Sequence, residues 1–253
     1  MPVELITIPC LTDNYAFLIH DAATGQTALV DVPEAAPIQA ALDQRGWTLS
    51  DILLTHHHDD HVQGLEALRG NARVIGARAD AHRLPRLDTE VADGDTLTVC
   101  GRDVHVMDVS GHTIGHVAFH MMDEKLLFTA DSLMAMGCGR LFEGTPAQMW
   151  DSMQKLRALP RDTTVCSGHE YTTTNARFAL SLEPDNKAII SRTEATKTAR
   201  ENGRATVPSL LSLECETNPF LRADDPVLAK AIDMADAQPA EIFTEIRARR
   251  DRF

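Results

Sequence analysis

The chain has 253 residues, 43% hydrophobic and 24% charged, an ordinary globular balance with material for a large buried core. A formal charge of -13 argues against nucleic acid as a partner, since such binding needs a basic stripe. No stretch approaches about 18 consecutive apolar residues, and Met1 to Pro9 lacks the basic and apolar regions of an export signal, so no membrane is expected. Five cysteines, scattered and never spaced C-x-x-C, fit free thiols in a reducing cytoplasm.

In chain order, the apolar runs Leu5 to Ile8, Ala16 to Ile19 and Ala28 to Val32 read as strands. The Ala-rich stretch Glu34 to Arg45 reads as a helix, and Ile52 to Leu54 as a strand ending at a histidine cluster. Leu97 to Val99, Val104 to Val109, His116 to Met121 and Leu126 to Thr129, separated by turn signals such as Asp93-Gly94-Asp95, read as a sheet meander. Thr145 and Gln148 form a capping-box pair with Pro146 between them. Met149, Met153, Leu156 and Leu159 then recur at helical spacing and predict core packing. After a strand at Thr164 to Cys166 the chain reads as helical from Asn175 to about Asn202, breaks at Gly203 and Pro208, and ends in two helical segments. A small α-helical domain therefore begins near residue 170, and one main domain precedes it.

Four of the 11 histidines, His56, His57, His58 and His61, lie within six residues, interleaved with Asp59 and Asp60. On an extended strand end, residues i and i+2 share a face, so His56 and His58 can point into one site. A helix beginning near Asp60 would project Asp60 and His61 into the same space, with its N-terminus favouring the carboxylate. His57 and Asp59 alternate with these and should face away or support a ligand. Three more candidates stand where strands end: His112 in Gly111-His112-Thr113-Ile114-Gly115-His116, then Asp131 and His169. Glycines on both sides leave His112 on a loop, whereas His116 opens an alternating strand, so His112 reads as a ligand and His116 as its support. Imidazole nitrogen and carboxylate oxygen without thiolate suit zinc, iron or manganese. Cys138, beside these residues, reads as a small buried packing residue.

The run Thr55-His56-His57-His58-Asp59-Asp60-His61 with His112, Asp131 and His169 resembles the metallo-β-lactamase superfamily. The resemblance covers roughly residues 3–170 and implies an α+β fold, a four-layer αββα sandwich followed by the small C-terminal α-helical domain. Within the superfamily the closer likeness is to the glyoxalase II family, the hydroxyacylglutathione hydrolases. It rests on Asp13-Asn14-Tyr15, Gly137 to Gly144, Gly168-His169-Glu170-Tyr171-Thr172, Asn218-Pro219-Phe220-Leu221-Arg222 and the terminal Arg249-Arg250-Asp251-Arg252-Phe253.

That likeness implies a catalytic domain over 1–169 and a substrate-binding helical domain over 170–253. It implies two divalent metal ions, zinc first, with iron or manganese as alternatives. His56, His58 and His112 would hold one ion, Asp60, His61 and His169 the other, and Asp131 would bridge them. Asp60 and Asp131 would be the catalytic carboxylates, and Arg140, Phe142, Tyr171, Arg247 and Arg250 would meet glutathione. Many members carry Lys and Tyr where this chain has Arg140 and Phe142, so a hydroxyl contact is missing at 142. The implied reaction is hydrolysis of a small-molecule glutathione thioester, S-D-lactoylglutathione above all, by a cytoplasmic monomer. Two metals about 3.5–4 Å apart supply hydroxide near neutral pH, and a thiolate of pKa about 8.5 leaves without a strong general acid. The alternatives are a lactonase, β-lactamase or phosphodiesterase of the same superfamily, or a mono-iron persulfide dioxygenase. The C-terminal landmarks tell against the first group and the number of ligands against the second.

Overall fold

β1 (Glu4–Cys10) and β2 (Asn14–Asp21) pair antiparallel from Glu4↔His20 to Cys10↔Asn14, and β3 (Gln26–Val30) pairs antiparallel with β2. This is a computed structural model describing residues 3–253; residues 1 and 2, the start of the expected 1–169 domain, lie outside the described residues. After α1 (Ala35–Arg45), strands β4 (Leu49–Leu54), β5 (Arg73–Ala77) and β6 (Thr89–Val91) join in parallel, completing a six-stranded sheet in the order β1-β2-β3-β4-β5-β6. Helix α1 ends because Gly46 takes a left-handed φ of 66° and lets Gly46 and Trp47 donate back to Asp43 and Leu42.

The chain divides into two compact units, Met1–Val109 with Ile114–Ala130, and Ser110–Thr113 with Asp131–Phe253. In the first unit, strand alternation sends Ala16, Leu18, Leu29, Ile52, Leu54 and Val74 to one face of the sheet. There they share a core with Ile38 and Leu42 of α1 and with Leu65 and Leu68 of α3 (Leu65–Leu68). Phe17 lies on the opposite face and meets Phe128 edge-on at 5.8 Å between ring centroids. Burying each of these rings contributes roughly 1.5–3 kcal/mol. Phe128 belongs to the expected meander: β7 (Thr96–Val99), β8 (Arg102–Asp108), β9 (Val117–Met121) and β10 (Leu126–Ala130) pair antiparallel in succession.

The second unit contains the short hairpin β11 (Leu133–Met134) and β12 (Gly137–Cys138), then α4 (Pro146–Arg157) and β13 (Thr164–Ser167). The capping box of α4 is formed, with Gln148 N donating to Thr145 Oγ1 at 3.2 Å and Thr145 N to Gln148 Oε1 at 2.9 Å. Met149, Met153 and Leu156 are buried, as their spacing predicts. The single helix expected from Asn175 to Asn202 is two: α5 (Thr172–Leu182) and α6 (Lys187–Glu201). Pro184 between them has no N–H for a continuing helix, and the Asn186 side chain caps α6 through Ala188 N and Ile189 N at 3.1 and 3.3 Å. Beyond β14 (Ser209–Leu210), which pairs with β13, the chain ends in three helices rather than two: α7 (Leu211–Thr217), α8 (Pro226–Ala231) and α9 (Pro239–Arg252). Among the described residues no helix is long and apolar enough to cross a membrane.

Candidate metal centre

The first unit brings His56, His58, Asp60 and His61 together where β4 gives way to the one-turn helix α2 (Asp59–Val62), which His58 precedes as its N-cap. His56 and His61 are fully buried, with ring centroids 4.3 Å apart, and His56 Nε2 faces His58 Nδ1 at 3.2 Å. Asp60 is not set by a long helix dipole, since α2 is a single turn. Asn14 sets it instead, donating from Nδ2 to both the Asp60 carbonyl and Oδ2 at 3.0 Å. His57 turns aside to Asp80 Oδ2 at 3.0 Å, a buried carboxylate that Arg83 Nε also reaches, and Asp59 is exposed.

Asp31 was not among the sequence candidates, although it follows β3 as Asp131 and His169 follow their strands. It sits at a left-handed φ of 56° with 3% exposure. Its Oδ1 accepts from Thr55 N at 2.9 Å, and its Oδ2 accepts from Thr55 Oγ1 and His61 Nδ1, each at 2.8 Å. With its proton given to Asp31, the Thr55 hydroxyl can only accept from His56 Nδ1, 3.0 Å away. One carboxylate thus fixes both imidazoles with Nε2 as the electron-pair donor, the support that metal-binding histidines need. Asp31→Asn would turn an amide donor towards His61 Nδ1 and favour the tautomer protonated on Nε2. A loss of roughly 10–100-fold in zinc affinity is expected, read by chelator competition. His116, buried, stacks on His56 at 4.6 Å between centroids with a 13° interplanar angle, brought there by the Val117 N to Thr55 O hydrogen bond of 3.0 Å.

The second unit brings together His112, Asp131 and His169. Asp131, 6% exposed, stands between two imidazoles, with Oδ2 3.4 Å from His112 Nε2 and Oδ1 3.3 Å from His169 Nε2. His112 Nδ1 donates to the Arg140 carbonyl at 2.7 Å, so its Nε2 is also left as an electron-pair donor. Buried imidazole nitrogens converging on carboxylates, with His56, His61 and His112 oriented through their far nitrogens and no thiolate among the donors, fit a divalent metal in both units.

Tyr171 stacks flat on His169, with centroids 4.9 Å apart at 6°, and is 39% exposed. Phe142 is 61% exposed, its ring edge-on to His112 at 5.3 Å. Arg140 is exposed, with Nε 3.7 Å from Asp251. The terminal arginines, which the sequence presents as one basic cluster, are divided by α9. Arg249 and Arg252 turn to Glu245, at 2.8 and 3.8 Å. Arg247 is buried, donating to Cys138 O at 3.0 Å and Asp251 Oδ1 at 2.8 Å. Arg250 is half-buried and held by a neutral group, Asn175 Oδ1, at 3.3 and 3.4 Å. Burial, and then the charge of Arg247, lower its pKa. It is therefore the cluster member best placed to gain from an incoming anion. Cys138 is buried with its thiol pushed up to about 11 by burial, which fits packing rather than chemistry.

Comparison with known proteins agrees with this geometry. The family profile described as the metallo-beta-lactamase superfamily matches residues 12–169, and that of the hydroxyacylglutathione hydrolase C-terminus matches residues 170–253. A hydroxyacylglutathione hydrolase of Ruegeria pomeroyi is 64% identical over 100% of both chains. Among solved structures, ETHE1 from Myxococcus xanthus aligns with a TM-score of 0.68 at 24% identity, covering 98% of this chain and 90% of that one. The BLEG-1 B3 metallo-beta-lactamase aligns at 0.67 and 20%, covering 86% and 99%. At those identities the two structures show the fold alone, an α+β metallo-β-lactamase fold, whereas the full-length sequence match goes further. The chain belongs to the hydroxyacylglutathione hydrolase family of the metallo-β-lactamase superfamily.

Proposed function

We propose that the chain hydrolyses S-(2-hydroxyacyl)glutathione thioesters, S-D-lactoylglutathione to D-lactate and glutathione above all, the second step of methylglyoxal detoxification. The observation that supports this best is the buried Asp131 carboxylate between the Nε2 atoms of His112 and His169. His56, His58 and His112 would hold one divalent ion and Asp60, His61 and His169 a second, with Asp131 shared between them and zinc the first choice. The ions, when bound, supply Lewis acidity and hydroxide near neutral pH. Asp60 and Asp131 orient the nucleophile, and a thiolate with a pKa of about 8.5 leaves without a dedicated acid. We place the enzyme in the cytoplasm as a monomer, with 1–169 the catalytic and 170–253 the substrate-binding region. Protein isolated without chelator should contain close to two ions per chain and turn over the thioester. A single ion in fully active protein, or oxygen uptake with a glutathione persulfide in place of thioester hydrolysis, would overturn the reading.

Glutathione carries two carboxylates, and a chain of net charge -13 needs local cations to receive it. Arg250 and exposed Arg140 suit that role through bidentate bonds, with Phe142 and Tyr171 as apolar walls. Arg250→Ala is expected to raise KM about tenfold, the worth of one charged hydrogen bond, with little change in kcat. Adding Arg247→Ala should raise KM further and also lower Tm, because it strips the buried Cys138 carbonyl of its donor. Steady-state kinetics and thermal melts separate the two effects; unchanged KM in the double variant would reduce these arginines to helix-end packing.

A further inference from the structure

Residues 134–138 link the two groups that meet His112: Asp131, whose carboxylate faces its Nε2, and Arg140, whose carbonyl holds its Nδ1. Each of these five residues has a backbone group bound by a side chain from much later in the chain. Asn218 Nδ2 donates to Met134 O at 3.1 Å and to Gly137 O at 2.9 Å. Asn175 Nδ2 donates to Ala135 O at 3.0 Å, Arg247 Nη1 to Cys138 O at 3.0 Å, and Met136 N to Glu214 Oε2 at 2.8 Å. Met136 needs such a partner, since it holds a left-handed φ of 56° that a methionine rarely adopts.

The anchors are themselves rigid. Glu214 is fully buried and paired with buried Arg192, with Ser209 Oγ on the same oxygen at 2.6 Å. Asn218, also fully buried, spends its Oδ1 on Phe220 N at 3.0 Å and has no freedom to turn. From the hairpin the path to the ligands is short. Gly139 N donates to Ser132 O at 3.1 Å, and the next residue supplies the carbonyl on His112. Moving the hairpin by a few tenths of an ångström would loosen that bond and the tautomer it selects.

We infer that Asn218, acting through the 134–138 hairpin, is a positioning residue for the metal centre, keeping the Arg140 carbonyl on His112 and the Asp131 carboxylate between its two imidazoles. This rests on the reading of His112, Asp131 and His169 as metal ligands. A buried asparagine that served packing alone would lower stability and leave metal affinity untouched, so affinity is the quantity to measure.

The test compares zinc affinity, by chelator competition, in the wild-type enzyme, Asn218→Ala and Asn186→Ala. The last loses the cap of α6 and a 3.2 Å hydrogen bond to Glu183 Oε1, none of it on the hairpin, and serves as a control for lowered stability. Asn218→Ala is expected to lose about tenfold in zinc affinity, the low end for partners outside the ligand shell, and to change the visible absorption of the cobalt-loaded protein. Asn186→Ala should keep wild-type affinity. Equal affinities in the two variants would overturn the inference. If Asn218→Ala does not fold, Asn175→Ala, which removes one anchor and leaves the Arg192–Glu214 pair intact, decides in its place: weakened zinc binding supports the role, wild-type binding removes it. A wild-type chain that binds no zinc would fell the ligand assignment and this inference with it, whereas wild-type binding with an unaffected Asn218→Ala would remove the inference alone.

Discussion

Replacing Asp131 by Asn, or His169 by Ala, should lower thioester turnover at least about 100-fold, the upper end of what losing a mere outer partner of a metal ligand costs. In Asp131→Asn the side chain would keep its shape but carry no charge. The variant would also turn an amide N–H towards one of the two imidazole nitrogens that now lie 3.3 and 3.4 Å from the carboxylate. In the metal-free protein that change costs little or stabilises, because it removes a buried charge that faces the electron pair of His112 Nε2. The measurable signature is therefore a split. The Tm of metal-free Asp131→Asn should stay at or above wild type, whereas metal-free His169→Ala should melt lower because it leaves a cavity against Tyr171. In both, the rise in Tm on adding zinc, which mass action gives to any ligand that binds only the folded state, should disappear. A variant that keeps wild-type turnover with verified metal content would show that Asp131 and His169 are not ligands.

Gly139→Ala should be as damaging, although no charge or ligand changes. A Cβ built on Gly139 would lie 2.0 Å from the Asp131 carbonyl oxygen and 2.9 Å from His112 Nδ1. Neither neighbour yields cheaply, for the first is backbone and the second is held by the Arg140 carbonyl at 2.7 Å. Ordinary overpacking costs about 1–3 kcal/mol, and a contact this short must displace backbone rather than a flexible side-chain end. We expect circular dichroism close to wild type, less than half the wild-type zinc content, and turnover reduced at least about 100-fold, in line with the loss of a ligand's support. Wild-type metal content in Gly139→Ala would mean that the 131–140 segment has slack that its contacts do not suggest.

Much of this protein is legible from local sequence because the physics that shapes it there is local. The capping pair at Thr145 and Gln148, the turn-separated strands from Leu97 to Thr129, and the i, i+2 geometry of His56 and His58 depend only on neighbours a few positions away. Strand β5 escaped because a parallel strand buried on both faces lacks alternation and Val74-Ile75 is too short a run to stand out, and β6 because three residues at the sheet edge, only Val91 of them buried, carry no pattern. The division of α5 from α6 was signalled by Pro184 and Asn186, which the helical periodicity on either side concealed. Charge was the least informative feature. Four arginines near the C-terminus look alike in sequence, yet burial and the positions of Glu245, Asp251 and Asn175 give them different work. Nothing in Asp31 predicts His61, thirty residues on, and nothing in Asn218 predicts Met134 and Gly137, more than eighty residues before it. Residue type and spacing therefore determined which atoms could bind a metal. The closure of the chain on itself decided which carboxylates and carbonyls orient those atoms, because a hydrogen bond selects a partner by position within about 3 Å and not by distance along the chain.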